Sequence, residues 1–239
     1  MSRLPALLRL ALHELWISYR LIPIIGLPTV AGAFVSLVPA DLAAPGAVAG
    51  SAHWLAIGLA VALPVVGAVA AATLAAERGR GTLAWMAVRA VPRSSVVVAW
   101  FLGFALLLAI GVALGAAGAW LAALERAETP PDPGPFMFAV TGTIFIGLLV
   151  IALGLLIGSR LAARPAALLT ALVSATALVV TLVLPQADHQ LPTGALAVLY
   201  GLDQATRPIS DAVRSAGLSL AATAVLLVFA AAGTERADL

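Results

Sequence analysis

The sequence predicts an all-α membrane protein with six transmembrane helices, an amphipathic N-terminal helix in the membrane interface, and both termini in the cytoplasm. Three observations lead to this fold class. First, 62% of the 239 residues are hydrophobic and only 10% are charged, with a mean hydropathy of +1.09. Second, six apolar stretches of about 20 residues, each long enough to cross a bilayer, contain no Asp, Glu, Arg or His. Third, the arginines between these stretches are divided unequally between the two sides.

Residues 1–20 predict a helix on the membrane surface and not a span. At 100° per residue, Leu4, Leu8 and Leu15 fall on one arc of the helix, and Arg9 and His13 fall opposite. Such a helix lies in the interface with its arginines near anionic headgroups. The sequence favours a plain membrane anchor over the functional alternative, a lever that leads into the first span.

The six spans follow in order, and the arginines orient them. They are predicted at residues 21–40, 54–76, 96–120, 136–158, 165–184 and 216–234. With the N-terminus inside, ten arginines lie on the inner side and three on the outer side, which places both termini in the cytoplasm. A cleaved signal peptide ending at Ala40 is a minor alternative, because the preceding stretch is too long and carries a separate helix.

Two Gly-x-x-x-Gly motifs predict places where helices pack closely. Gly111 and Gly115 lie in the third span, and Gly154 and Gly158 lie in the fourth. Packing within one subunit is favoured over a dimer interface.

The composition excludes several classes of function. The absence of Cys removes thiolate catalysis, disulfides and iron–sulfur clusters, and the absence of Lys removes a P-loop for ATP. His13, His53 and His189 all lie outside the predicted spans, so no intramembrane metal cluster or hydrolase site is expected. The net charge of +2 indicates no nucleic-acid-binding face. The Lys-free, Ala- and Arg-rich composition is typical of a GC-rich bacterial genome, so we expect a protein of the bacterial inner (plasma) membrane.

The connection between the second and third spans, residues 77–95, is much longer than a minimal turn. Gly79 and Gly81 permit a sharp bend, Thr82 is a good N-cap, and Pro92 ends a helix. The stretch between Thr82 and Pro92 is almost entirely apolar, which predicts a short surface helix with one apolar face. The simplest interpretation is a positive-inside loop on the headgroups. The order of the residues favours a docking element instead.

That order resembles the loop between spans two and three of ABC-2-type transporter permeases. Loops of that family typically begin with an E-R-x-x-G-T-L-like sequence and end with a P-x-S-R-like sequence. The matching residues here are Glu77, Arg78, Gly81, Thr82 and Leu83, followed by Pro92, Arg93 and Ser94, with Arg preceding Ser. The six-span layout, the interfacial helix and the C-terminal residues 236–239 (RADL) also match the family.

The resemblance implies a permease subunit of the type V exporter fold. The loop would be a coupling helix that docks on a separate ATPase subunit, which would bind ATP and Mg²⁺ in place of this chain. A second permease, either another copy or a paralogue, would complete the transporter within the lipid membrane. The residues assigned to ATPase contact and coupling are Glu77, Arg78, Gly81, Thr82, Leu83, Trp85, Met86, Arg89, Pro92 and Arg93.

The resemblance also places a substrate pathway between two permeases, lined mainly by spans two and five. The polar residues assigned to it are Thr73, Thr170, Ser174, Thr176 and Thr181. For each residue taken singly, a hydroxyl bonded to its own helix is the simpler interpretation. The extracytoplasmic segment 185–215 is expected to form re-entrant or cap helices over the exit.

Spans without ionisable side chains independently favour an external source of energy, because ion-coupled carriers usually need such a group in the membrane. We therefore expect a transport subunit and not an enzyme. A secondary transporter or channel, and a non-transporting membrane scaffold, are the alternatives.

Overall fold

The computed structural model describes residues 4–39, 46–81, 92–127, 131–183, 191–202 and 209–236. All regular secondary structure within these ranges is helical. The helices are α1 (Leu4–Ile17), α2 (Leu21–Val35), α3 (Ala47–Gly79), α4 (Arg93–Arg126), α5 (Gly134–Gly158), α6 (Ala163–Val183), α7 (Gly194–Tyr200) and α8 (Ile209–Arg236). Five of them, α3 to α6 and α8, are long and apolar enough to cross a membrane. The expectation of an all-helical, multi-pass membrane protein is confirmed at this level.

Whether the protein has a sixth span depends on α1 and α2, which cover the first predicted span, residues 21–40. These two helices meet at a bend of 75°, and they meet the length and hydropathy criteria for a span only as a pair. Tyr19 in the bend has a φ of 56°, in the left-handed region. The 15 residues of α2 extend about 22 Å, and the helix ends at Val35, five residues before the predicted limit of the first span.

The long helices extend past the predicted spans. The 33 residues of α3 cover about 50 Å, against a hydrocarbon thickness of about 30 Å. A helix satisfies its own backbone hydrogen bonds, so it continues until the sequence stops it. The stop for α3 lies at Gly79–Gly81, and α4 begins directly after Pro92.

Glycines bring the helices into backbone contact. A Cβ added at Gly115 of α4 would overlap the carbonyl oxygen of Pro28 in α2, and one at Gly154 of α5 would overlap that of Gly67 in α3. Both Gly-x-x-x-Gly motifs therefore pack within one subunit, as the sequence predicts.

The helix α7 is short and lies in the interior among α3, α5, α6 and α8. The hydroxyl of Ser215 accepts a hydrogen bond from the amide of Ala195 at 2.9 Å and donates to the carbonyl of Pro192 at 3.1 Å. The hydroxyl of Ser219 also donates to the Pro192 carbonyl. These bonds satisfy backbone groups that an apolar surrounding would leave unpaired. The predicted segment 185–215 thus contains a buried helix and the first turns of α8.

Contacts between helices define two ends of the bundle. At the Glu77 end, α1 and the C-terminal ends of α3 and α5 come together. At the Arg126 end, α4 finishes beside the C-terminus of α2. There Nη2 of Arg126 donates to the carbonyls of Val35 at 3.0 Å and Val38 at 2.7 Å. The guanidinium of Arg126 therefore adds a cap to the C-terminus of α2, where the amide of Val38 also donates to the carbonyl of Val35 at 3.3 Å.

Candidate functional site

The base of the 82–91 loop is built around the buried Glu77 near the end of α3. Glu77 is only 7% exposed, and Nη1 of Arg80 lies 3.2 Å from its Oε1. The same Nη1 lies 3.5 Å from Oε1 of Glu14 on α1. Because the side chains of Arg80 and Glu14 are 58% and 36% exposed, water screens the pair, and such contacts contribute at most about 1 kcal/mol. The main effect of these contacts is on the position of α1, because Arg80 joins the end of α3 to this N-terminal helix.

Arg78 connects the same turn of α3 to a different helix. Its Nη1 donates to the carbonyl oxygen of Gly158 at 3.0 Å, at the C-terminus of α5. A cation at this position meets both an orphan carbonyl and the negative end of the helix dipole. Arg78 therefore has a partner within the chain. Its predicted contact with an ATPase subunit is not tested by this geometry.

Gly81 ends α3 in a conformation that favours glycine. Its φ is +73°, and its amide donates to the carbonyl of Arg78 at 3.1 Å. The amide of Arg80 donates to the carbonyl of Ala76 at 3.0 Å. A left-handed glycine just after the C-cap is a common helix stop. It directs the chain out of α3 at a defined angle.

Half of the predicted coupling residues lie outside the described part of the chain. These are Thr82, Leu83, Trp85, Met86 and Arg89. The described chain resumes at Pro92, which is exposed and has an extended backbone (φ −59°, ψ 130°). Arg93 is the first residue of α4, and the amide of Ser95 donates to the carbonyl of Pro92 at 3.0 Å. The predicted surface helix that Pro92 would end lies outside the described residues and stays a prediction.

Four of the five predicted pathway hydroxyls lie inside the subunit. Thr73 of α3 and Thr170, Ser174 and Thr181 of α6 are buried, and α6 packs along α3. Each of the four hydroxyls donates to a backbone carbonyl four residues earlier, namely those of Val69, Ala166, Thr170 and Ala177. Thr176 lies on the exposed face of α6. The structure thus brings four of these hydroxyls to an internal helix contact and leaves Thr176 on the surface.

Sequence reasoning missed two members of the Glu77 cluster, Glu14 and Arg80. The spacing of Glu77 and Arg80 as an i,i+3 pair on a helix was a usable signal for Arg80. No local pattern identifies Glu14, because its contact with Arg80 depends on how α1 folds against the bundle.

Charged side chains in the five long helices lie near the helix ends. In α5 there is no Asp, Glu, Arg or His, and in α6 the only one is Arg164, in the first turn. In α3 the ionisable residue farthest from a helix end is His53. Its ring packs on that of Tyr200 in α7, with 4.0 Å between the ring centroids. The middle of each of these helices carries no group that changes charge.

A comparison of the sequence with protein-family models finds no match, and a comparison with curated proteins also finds none. The function is therefore inferred from the residues and geometry of the chain itself.

Proposed function

We propose that this chain is the membrane-spanning permease subunit of an ATP-binding cassette exporter in the bacterial inner membrane. A separate subunit binds ATP and Mg²⁺ and hydrolyses the nucleotide. A second permease, identical or paralogous, completes the translocation pathway. The observation that carries the proposal is the anchoring of the 82–91 loop at its base. Arg80 ties it to Glu14 of α1, and Arg78 ties it to Gly158 of α5.

Through these contacts, a partner subunit that binds the loop acts on several helices of the bundle. A force on the loop acts on the end of α3, and through Arg78 and Arg80 it also acts on α5 and α1. The helix α3 runs from Gly79 back to Ala47 with Pro64 inside it, and its far half contacts α7 through His53 and Tyr200. A docked ATPase could therefore shift several helices with one contact, since a continuous helix transmits displacement along its axis.

The distribution of charge supports an energy source outside the chain. Transporters driven by protons or ions usually keep an ionisable side chain within the membrane. The described long helices keep such groups near their ends. The absence of Lys from the sequence also leaves the chain without a P-loop, so ATP hydrolysis is assigned to the partner.

The test is to purify the affinity-tagged chain from its native membrane and to measure ATPase activity in the purified complex and in reconstituted vesicles. We expect a nucleotide-binding subunit to co-purify. We also expect Glu77→Gln, or Thr82→Ala combined with Leu83→Ala, to release that subunit or to abolish its regulation. Glu125→Gln, which changes an exposed carboxylate at the opposite end of the bundle, is the matched control and should retain both properties.

Two results would contradict the proposal. One is a chain that transports substrate in vesicles without any ATPase, which would favour a secondary transporter or channel. The other is an ATPase that associates equally well with every loop variant, which would remove the coupling role. Insertion of each variant in the membrane is checked in parallel, so that loss of ATPase is not confused with loss of the protein.

A further inference from the structure

A groove separates the first turns of α5 and α8. Its volume is about 320 Å³, and it is lined by Phe138, Gly142 and Phe145 on α5 and by Ala216, Gly217 and Leu220 on α8. The groove exists because α8 carries almost no side-chain volume at Ala216 and Gly217. A Cβ added at Gly217 would have no atom within 4 Å.

The floor of the groove rests on the interior of the protein. A Cβ added at Gly142 would lie 2.7 Å from the Cβ of Ala195, so the backbone of α5 lies directly against α7 at this point. The rim of the groove faces outward. Val213 is 55% exposed and Leu220 is 44% exposed. The groove is therefore a lateral opening in the surface of the bundle, with the buried helix α7 behind it.

The position and lining of the groove indicate an apolar occupant. It lies in the apolar parts of two helices that are long enough to span a membrane, so its surroundings are lipid hydrocarbon. The one hydroxyl in the lining, that of Thr141, already donates to the carbonyl of Met137 at 2.8 Å. A ligand here gains nothing from polar groups inside the groove and is held by van der Waals contact with its lining.

A cation lies on α8 beside the lining of the groove. Arg214 is exposed, and no hydrogen bond or ion pair joins it to any residue whose side chain the structure describes, which on α8 begins at Val213. It lies three residues before Gly217, so the two are neighbours on the surface of α8. Side chains on a helix tilt toward its N-terminus, which directs Arg214 away from the middle of the span and toward the level of the headgroups.

From this combination we propose that the α5–α8 groove binds an anionic membrane phospholipid. One acyl chain occupies the groove between Phe138 and Leu220, and the phosphate pairs with Arg214. The site is independent of the proposed transport role. Because the floor lies against Ala195, an occupied groove packs behind α7 and holds that helix in position.

The experiment uses the full chain reconstituted in vesicles that contain phosphatidylglycerol with a photoactivatable diazirine in one acyl chain. After illumination, the labelled peptides are mapped by mass spectrometry. We expect labelling to concentrate in residues 138–145 and 213–220. Gly217→Leu fills the groove with a side chain that favours the helix and whose Cβ lies in open space, so the variant should fold. Labelling of the two peptides should fall, because the leucine takes the space of the acyl chain and removes its van der Waals contacts with the groove.

Matched variants separate the acyl and headgroup parts of the site. Gly26→Leu introduces the same side chain at another open glycine, on α2, and should leave groove labelling unchanged. Arg214→Gln should lower the preference for phosphatidylglycerol over phosphatidylcholine by about fivefold, as expected for one arginine near an anionic headgroup.

Three results would overturn the proposal. Labelling that is uniform over all lipid-exposed helix faces would show that the groove holds no lipid at a fixed site. Labelling that is unchanged by Gly217→Leu would show the same. The chain has no native Cys, so Ala216→Cys provides a unique thiol. A disulfide-linked dimer of that variant in the membrane would place a second copy of the chain in the groove instead of a lipid.

Discussion

Replacement of Arg78 by Gln tests whether the loop base is anchored to α5. In the structure, Nη1 of Arg78 donates to the carbonyl of Gly158 at 3.0 Å, and the contact is partly buried. A glutamine side chain is shorter and uncharged, so it loses both this hydrogen bond and the interaction with the helix dipole. The last turn of α5 then has an unpaired carbonyl at its end.

The size of the effect follows from the type of contact. A hydrogen bond to a charged group contributes about 1.5–3 kcal/mol. At about 1.4 kcal/mol for each factor of ten, the local opening of this turn should become roughly ten- to a hundredfold more frequent. The global free energy of unfolding should change less, because only the end of one helix is released.

Hydrogen–deuterium exchange, measured by mass spectrometry on the purified protein, reports this opening. We expect faster exchange in peptides covering residues 155–161, where the amide of Ser159 donates to the carbonyl of Leu155 and the amides of Arg160 and Leu161 donate to that of Ile157. Arg160→Gln is the control, because the side chain of Arg160 is exposed, lies two residues after Gly158 and makes no hydrogen bond or ion pair with the described residues, while its backbone amide still donates to the carbonyl of Ile157. Equal exchange in the two variants would refute the anchoring role of Arg78.

Three further predictions concern the packing that holds the bundle together. Gly154→Ala places a Cβ on the carbonyl oxygen of Gly67 and should destabilise the protein by about 1–3 kcal/mol in thermal unfolding, whereas Gly26→Ala, in open space, should not destabilise it. Arg126→Gln removes the cap from the C-terminus of α2 and should speed amide exchange in residues 32–38, with a local loss of about 1.5–3 kcal/mol. Ser215→Ala leaves the buried amide of Ala195 in α7 unpaired. Amide hydrogen exchange in residues 194–200 should become faster, by the factor that corresponds to a local loss of about 1–3 kcal/mol.

The sequence was sufficient to predict a membrane protein because hydropathy is a local property of the chain. Each long helix carries its own apolar run, and the bend between α1 and α2 falls where the amphipathic pattern gives way to the first apolar stretch. The burial of the short helix α7 was harder to predict from the sequence. Its seven residues carry no periodic signal of their own, and they are buried because α3, α5, α6 and α8 leave a space of matching size.

The hydroxyls of α6 show a similar limit. Thr170, Ser174 and Thr181 fall on one stripe of the helix, and a helical projection detects that stripe. It does not tell whether the stripe faces a pathway or a neighbouring helix, because every other residue of α6 after Arg164 is also apolar or small. In the structure the stripe faces α3, and the bulky exposed residues, such as Leu168 and Leu172, lie on the other side.

The arginines also had roles that a charge count does not reveal. Arg78 and Arg126 were both counted as signals of orientation. In the structure they cap the C-termini of α5 and α2, respectively. Their partners are backbone carbonyls distant in sequence, which no pattern of side chains identifies.

The cap on α2 has a consequence for the order of synthesis. The carbonyl of Val35 leaves the ribosome 91 residues before the guanidinium that pairs with it. Until Arg126 is synthesised, only the amides of the following turn, residues 36–38, bond the last carbonyls of this helix of about 22 Å. The end of α2 is therefore fully hydrogen-bonded only after α4 has been made. Truncation before Arg126 should loosen this end, and faster amide exchange in residues 32–38 would report it.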